Sequence, residues 1–268
     1  MTYTDLLREM FPDLNPEVDD VFLLEWHQIA ALPERAPAPE LAAVLHAHPH
    51  VRRFLVARHP EIDGFLVRLL TEHGPVGADD LAACEQALVW EIADWIAYQR
   101  APQSYDTAAK VDWDLAAVTD VVALDGKVVI DAGAGTGRVA LDAAPVARHL
   151  FAVEPVATLR QYLKDKATRL GIDNLYVVDG FLHAIPLPTG TADVLLTCQA
   201  IGWNLQDELR EIERVTKPGG AAVHVFGTPA AVQPDNPLHQ RLLAAGYQPA
   251  TYERRDICIR MYSKQIGG

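Results

Sequence analysis

Residues 128–140 read VVIDAGAGTGRVA, and no other stretch limits the possible folds as much. An apolar run ends at Asp131. Three glycines follow at alternate positions (Gly133, Gly135, Gly137), and a helix-compatible segment begins at once. A strand that turns through glycines into a helix opens a βαβ unit. Glycine suits such a turn because it accepts positive φ and puts no Cβ between the backbone and a ligand.

The flanking sequence agrees. After residue 125, KVVIDAG, HLFAVEP, NLYVVDG, ADVLLTC and AAVHVFG each read as a buried strand, with helix-like segments such as ATLRQYLKDKATRLG and QDELREIERVTKPGG between them. This alternation predicts an α/β fold with a doubly wound parallel sheet. The tail, YQPATYERRDICIRMYSKQIGG, holds two β-rich runs with no helix between them, which predicts an antiparallel pair closing the sheet.

Before residue 115 the pattern is helical. LAACEQALVWEIADWIAYQR (81–100) sets Leu81, Cys84, Leu88, Ile92, Trp95 and Ile96 three or four apart, one apolar stripe. Further helices are expected around 2–10, 18–31, 40–47, 51–57 and 62–72. Breaks are expected at LPERAPAPE and EHGPVGADD, with Asp79 or Asp80 capping the next helix. The expected division is an all-α extension over 1–114, a cap or homodimerisation region, and an α/β domain over 115–268.

A chain of 268 residues supports one large domain or two modest ones. A net charge of −13 offers no general attraction to nucleic acid or to an anionic membrane. The three cysteines are far apart and form no CxxC pair, so reduced thiols and a cytoplasmic setting are expected. The N-terminus carries early acids, unlike a secretory signal, and no run approaches the roughly 18 apolar residues of a membrane helix.

The glycine spacing discriminates between ligands. A dinucleotide fingerprint, G-x-G-x-x-G/A, needs a small residue where Arg138 stands; starting from Gly135 misplaces the strand junction. A phosphate-binding loop ends in G-K-[ST], which GTGRV does not supply. G-x-G-x-G after a strand ending in Asp resembles motif I of the class I S-adenosylmethionine (SAM)-dependent methyltransferases. Later segments extend the likeness to the type 11 group over roughly residues 105–230. Glu154 ends the next strand about twenty residues on. Asp179-Gly180-Phe181 follows the third strand, a Pro-rich turn leads to the fourth, and ELREIERVTKPGGAAVHVFG matches the last helix, turn and strand.

The resemblance implies a Rossmann-like seven-stranded methyltransferase sheet with SAM as cofactor. By position, Asp131, Gly133, Ala134, Gly135 and Gly137 would hold the methionine end. Glu154 would take the ribose, with Pro155 or Val156 against the adenine. Asp179, Gly180 and Phe181 would flank the base, and Gln199 would line the pocket toward the acceptor. Tyr105, in QSYDTAAK, resembles a segment that folds over SAM.

The expected reaction is methyl transfer to a small-molecule acceptor, at oxygen or nitrogen rather than carbon. Positioning alone supplies much of such catalysis, so a general base is optional. His183 and His224 are weak candidate bases; His183 occupies a variable turn, and mid-strand His224 reads first as a hydrogen-bonded core residue. Cys198 lacks the preceding proline of a pyrimidine-attacking nucleophile. HAHPH (46–50) reads as a solvated helix end rather than a metal site, and no metal is expected. Trp26, Trp90, Trp95, Tyr98 and Trp113 are candidate lining for an apolar substrate site, and read more simply as core anchors. Two alternatives stay open. A nicotinamide-dependent oxidoreductase would want a Tyr-x-x-x-Lys or similar pair, which is not found. A non-catalytic SAM-binding or DNA-binding regulator would want a basic face, and VRRF is the strongest local basic run.

Overall fold

The computed structural model describes residues 2–108, 113–227, 236–254 and 257–267. Residues 109–110 of QSYDTAAK and 255–256 of the tail lie outside these, and the side chain of Cys258 is not among those described. The chain divides into two compact units, Met1–Ala109 and Lys110–Gly268.

The first unit is helical: α1 (Tyr3–Met10), α2 (Trp26–Arg35), α3 (Ala38–Ala47), α4 (Pro49–Arg58), α5 (Asp63–Glu72), α6 (Ala78–Glu91), α7 (Ala93–Arg100) and α8 (Pro102–Ala108). Its core gathers Leu24, Ile29, Leu41, Leu55, Leu66 and Ile96. The helix expected over 18–31 splits into a 3₁₀ turn, Val18–Leu23, and α2, with extended Leu24 between them. The stripe over 81–100 breaks at Ile92, although Leu88, Ile92, Trp95 and Ile96 are all buried as it requires. Periodicity reports the buried face, not the continuity of the helix. The break expected from Leu32 falls instead at Ala36. Pro33 lies inside α2, and Pro37 holds Ala36 in an extended conformation. Gly77, not Asp79 or Asp80, stands at the N-cap of α6; both acids occupy its first turn, where they complement the helix dipole.

The second unit runs α9 (Leu115–Val121), β1 (Val128–Ala132), α10 (Arg138–Ala143), β2 (His149–Val153), α11 (Ala157–Arg169), β3 (Leu175–Val178), β4 (Ala192–Cys198), α12 (Leu205–Val215), β5 (Thr216–Gly227), α13 (Pro237–Ala244), β6 (Gln248–Arg254) and β7 (Ile257–Gln265). The seven strands form one sheet in the order β3-β2-β1-β4-β5-β7-β6. The first five are parallel, and β7 runs antiparallel between β5 and β6. The β4–β5 register jumps from Ala192↔Thr216 to Val194↔Ala221, so the KPGG turn is absorbed as a bulge.

All five residues of β1 are buried because the sheet is covered on both faces. Val129, Leu150, Leu196 and Val223 meet Ala117 of α9 and Ala140 of α10 on one face. Ile130, Leu195 and Ala222 meet Ile212 of α12 and Leu242 of α13 on the other. Strand order reverses between β1 and β4. In an open α/β sheet, ligands enter beside the carboxyl ends of the strands at such a reversal.

Candidate functional site

The glycine loop lies at that reversal. Its glycines have φ of +77° (Gly133), +54° (Gly135) and +92° (Gly137), conformations that other residues enter only with strain. The Gly133 and Ala134 amides both donate to the Val153 carbonyl, at 2.8 and 3.1 Å, which ties the loop to the end of β2. A Cβ on Gly133 would collide with Ala200, and one on Gly137 with Leu163 of α11.

Glu154 completes the tie. Its carboxylate is buried, accepting from the Gly135 amide at 2.8 Å and the Val156 amide at 2.9 Å. Pro155 follows it. Asp131, only 1% exposed, stands one residue before the end of β1, and neither of its oxygens has a hydrogen-bond partner among the described residues. Burial pushes its pKa up to about 7. The Ala140 amide opposes the shift without closing a hydrogen bond, and the Glu154 charge adds to it.

Asp179 sits just past β3, with its side chain 69% exposed and paired to Arg160. Gly180 packs so closely that a Cβ there would stand 2.6 Å from Pro186. Phe181 bridges to Ala184 and stacks on His183 at 5.2 Å. Gln199, beyond β4, adopts φ +55° while its amide donates to the Val225 carbonyl at 3.0 Å. Asp131, the glycine loop, Glu154, Pro155, Asp179, Gly180 and Gln199 thus all stand at or just past the carboxyl ends of the adjacent strands β1 to β4. Tyr105 lies in the helical unit, its ring 4.6 Å from Tyr98.

The two candidate bases differ. His183 is exposed on its turn. His224 is fully buried, hydrogen-bonded to Thr197 at 2.9 Å, and burial drops its pKa to about 3. A ring sealed in the core beside Tyr247 has no path to an acceptor. Cys198 is likewise a poor thiolate, since burial pushes its pKa up to about 12.

The histidines of HAHPH each have their own contact. His46 donates to the His73 carbonyl at 2.9 Å, His48 meets Glu85 at 2.6 Å, and His50 stacks on Phe22. No group of three or more His, Cys, Asp or Glu able to hold a metal converges among the described residues. Trp90 and Trp95 are buried in the helical core, whereas Trp26 is exposed. Trp113 belongs to the α/β unit, donating to Asp142 at 3.0 Å. No described helix is long and apolar enough to cross a membrane.

Sequence reasoning passed over Arg160 and Glu208. Buried Glu208 accepts from the Gly202 and Asn204 amides, at 2.7 and 3.0 Å, and so fixes the loop after β4 that displays Trp203, 77% exposed. The available signal was an acid in the first turn of α12, a pattern shared with many solvated helices.

Residues 130–224 match the model of a family described as a methyltransferase domain. A malonyl-[acyl-carrier protein] O-methyltransferase of Yersinia pestis is 31% identical over 130 residues, 46% of this chain and 46% of its own. An uncharacterized methyltransferase of Mycobacterium bovis is 30% identical over 135 residues, 49% of each. Among solved structures, a SAM-dependent methyltransferase from Aquifex aeolicus has 20% identity and a TM-score of 0.48, covering 57% of this chain and 89% of that one. The chain spans about half the length of the curated relatives it matches. The match to a methyltransferase domain falls within the Lys110–Gly268 unit and includes the glycine loop on the β1–α10 turn.

Proposed function

We propose that the protein transfers the methyl group of SAM to a small-molecule acceptor, at oxygen or nitrogen rather than carbon. The observation that carries this reading is the unpaired, buried carboxylate of Asp131 beside a glycine loop pinned by Glu154. That donor set fits the cofactor. Asp131 suits an ammonium, and the glycines leave backbone bare where a Cβ would fill space. Each oxygen of Glu154 can accept more than one hydrogen bond, enough for a ribose diol. Asp179 offers an acceptor to the adenine amino group. When bound, SAM supplies a methyl group on a positively charged sulfur. The chain's part is to bind, orient and exclude water; holding two reactants in line is worth about 7–11 kcal/mol.

His183, exposed beside Phe181, is the accessible histidine for an acceptor that must lose a proton. Trp203 and Gln199 stand on the loop that would face the acceptor. Support for oxygen comes from the Yersinia pestis relative, an O-methyltransferase. The net charge of −13 favours an acceptor other than nucleic acid. The helical unit is read as a cap or homodimerisation region, and Tyr105 as a residue that closes over SAM.

The test is incubation with methyl-labelled SAM and a panel of carboxylates, phenols, alcohols and amines, malonyl thioesters included. Label is expected in an oxygen or nitrogen acceptor. Binding of SAM with label transfer no faster than in Asp131→Asn across the panel would contradict the reading.

A further inference from the structure

Arg160 stands in the first turn of α11, and its side chain is only 15% exposed. Nη1 donates to the carbonyls of Glu154 and Pro155, at 2.9 and 2.6 Å, and lies 3.0 Å from Oδ1 of Asp179. Nη2 donates to Oδ2 of the same carboxylate at 3.1 Å. One guanidinium therefore stitches the end of β2 to the end of β3: both Nη1 hydrogens go to the two carbonyls, Nη2 donates to Asp179, and both carboxylate oxygens lie within about 3.1 Å of it.

An exposed ion pair contributes little to stability. What this pair supplies is orientation. A planar guanidinium whose Nη1 is held by two backbone carbonyls offers its hydrogen bond and its charge to Asp179 from one fixed direction, which a flexible ammonium cannot do. The Nη2 bond uses one acceptor site on Oδ2, and the Asp179 side chain is largely open to solvent. A group arriving there meets a rigid, acceptor-only edge.

We propose that Arg160 is a positioning residue that presents Asp179 to the exocyclic amino group of adenine and thereby selects adenine over a base carrying a carbonyl at that position. The proposal rests on the reading above that Asp179 lies at the base. A carbonyl facing the fixed carboxylate would set acceptor against acceptor, where the amino group would donate. Without Arg160 the carboxylate can rotate away, and the discrimination relaxes.

Calorimetric titration with S-adenosylhomocysteine and with S-inosylhomocysteine tests this, using the full chain and its Arg160→Ala, Arg160→Lys, Asp179→Asn and doubly substituted variants. The intact protein should prefer the adenine compound by about tenfold or more. Arg160→Ala should cut that ratio to about two or less, and Arg160→Lys should restore only part of it. The double variant should discriminate no worse than Asp179→Asn alone, because Arg160 acts through Asp179. An unchanged ratio in Arg160→Ala, even with both affinities lowered, would overturn the proposal and reduce Arg160 to a structural tie. Additive effects in the double variant would overturn it as well. If the intact protein bound neither compound, the SAM-site reading itself would fall and this proposal with it.

Discussion

Asp131 is held in an unfavourable state by its own fold: buried, without a hydrogen-bond partner among the described residues, and with its pKa up to about 7. Its folded pKa lies above the unfolded value near 3.8, so the fold binds this proton more tightly. The contribution of Asp131 to stability therefore falls as pH rises from about 4 to about 7. A ligand ammonium reverses the balance by favouring the carboxylate. S-adenosylhomocysteine should therefore bind with release of nearly one proton at pH 6 and almost none at pH 8, and with affinity that climbs up to about pH 7. Titration in buffers of different protonation enthalpy reads this directly; Asp131→Asn should abolish the release, and buffer-independent heats at pH 6 would contradict it. Asp131 and Glu154 were legible in the sequence because each ends an apolar run that abuts a turn. Arg160 was not, since in ATLRQYLKDKATRLG it reads as one more solvated cation, and only the fold brings Asp179 to it.

Among the elements, α10 and α11 meet at a glycine. Gly137 is the N-cap of α10 with φ +92°, and a Cβ there would run into Leu163, a core residue of α11. Gly219, in the turn before the main run of β5, also has positive φ (+79°), but open space surrounds the place of its Cβ. Gly219→Ala should thus cost only backbone strain, about 1–2 kcal/mol. Gly137→Ala should cost about 2–5 kcal/mol, because overpacking adds to the strain. Denaturant unfolding of the two variants checks the difference, and equal costs would mean that α10 shifts freely against α11. The strands were legible because a parallel strand covered on both faces is a continuous apolar run. The helix break at Ile92 was not, because the apolar stripe passes through it unchanged. The cap of α6 was misread for a related reason: Asp79 and Asp80 belong to the helix they were expected to precede.

At the scale of the whole molecule, two units with separate cores share one chain, and the chemistry argued above resides in the second. Its ligand edge is assembled from turns that follow β1, β2, β3 and β4, far apart in sequence and adjacent only in the sheet. The sequence announced the first three of those turns in order because the ends of β1, β2 and β3 each carry a glycine, an acid or both, whereas β4 ends in Cys198, followed by Gln199; the acceptor left no comparable mark in the helical unit. The most direct test of the central claim is calorimetric titration of the intact protein with S-adenosylhomocysteine, with NADH as the control and Glu154→Ala and Glu154→Gln in parallel. Micromolar binding of S-adenosylhomocysteine, lost in the alanine variant, weakened in the glutamine variant and absent for NADH, is the predicted result. Binding of NADH, or of neither compound by a folded protein, would contradict it.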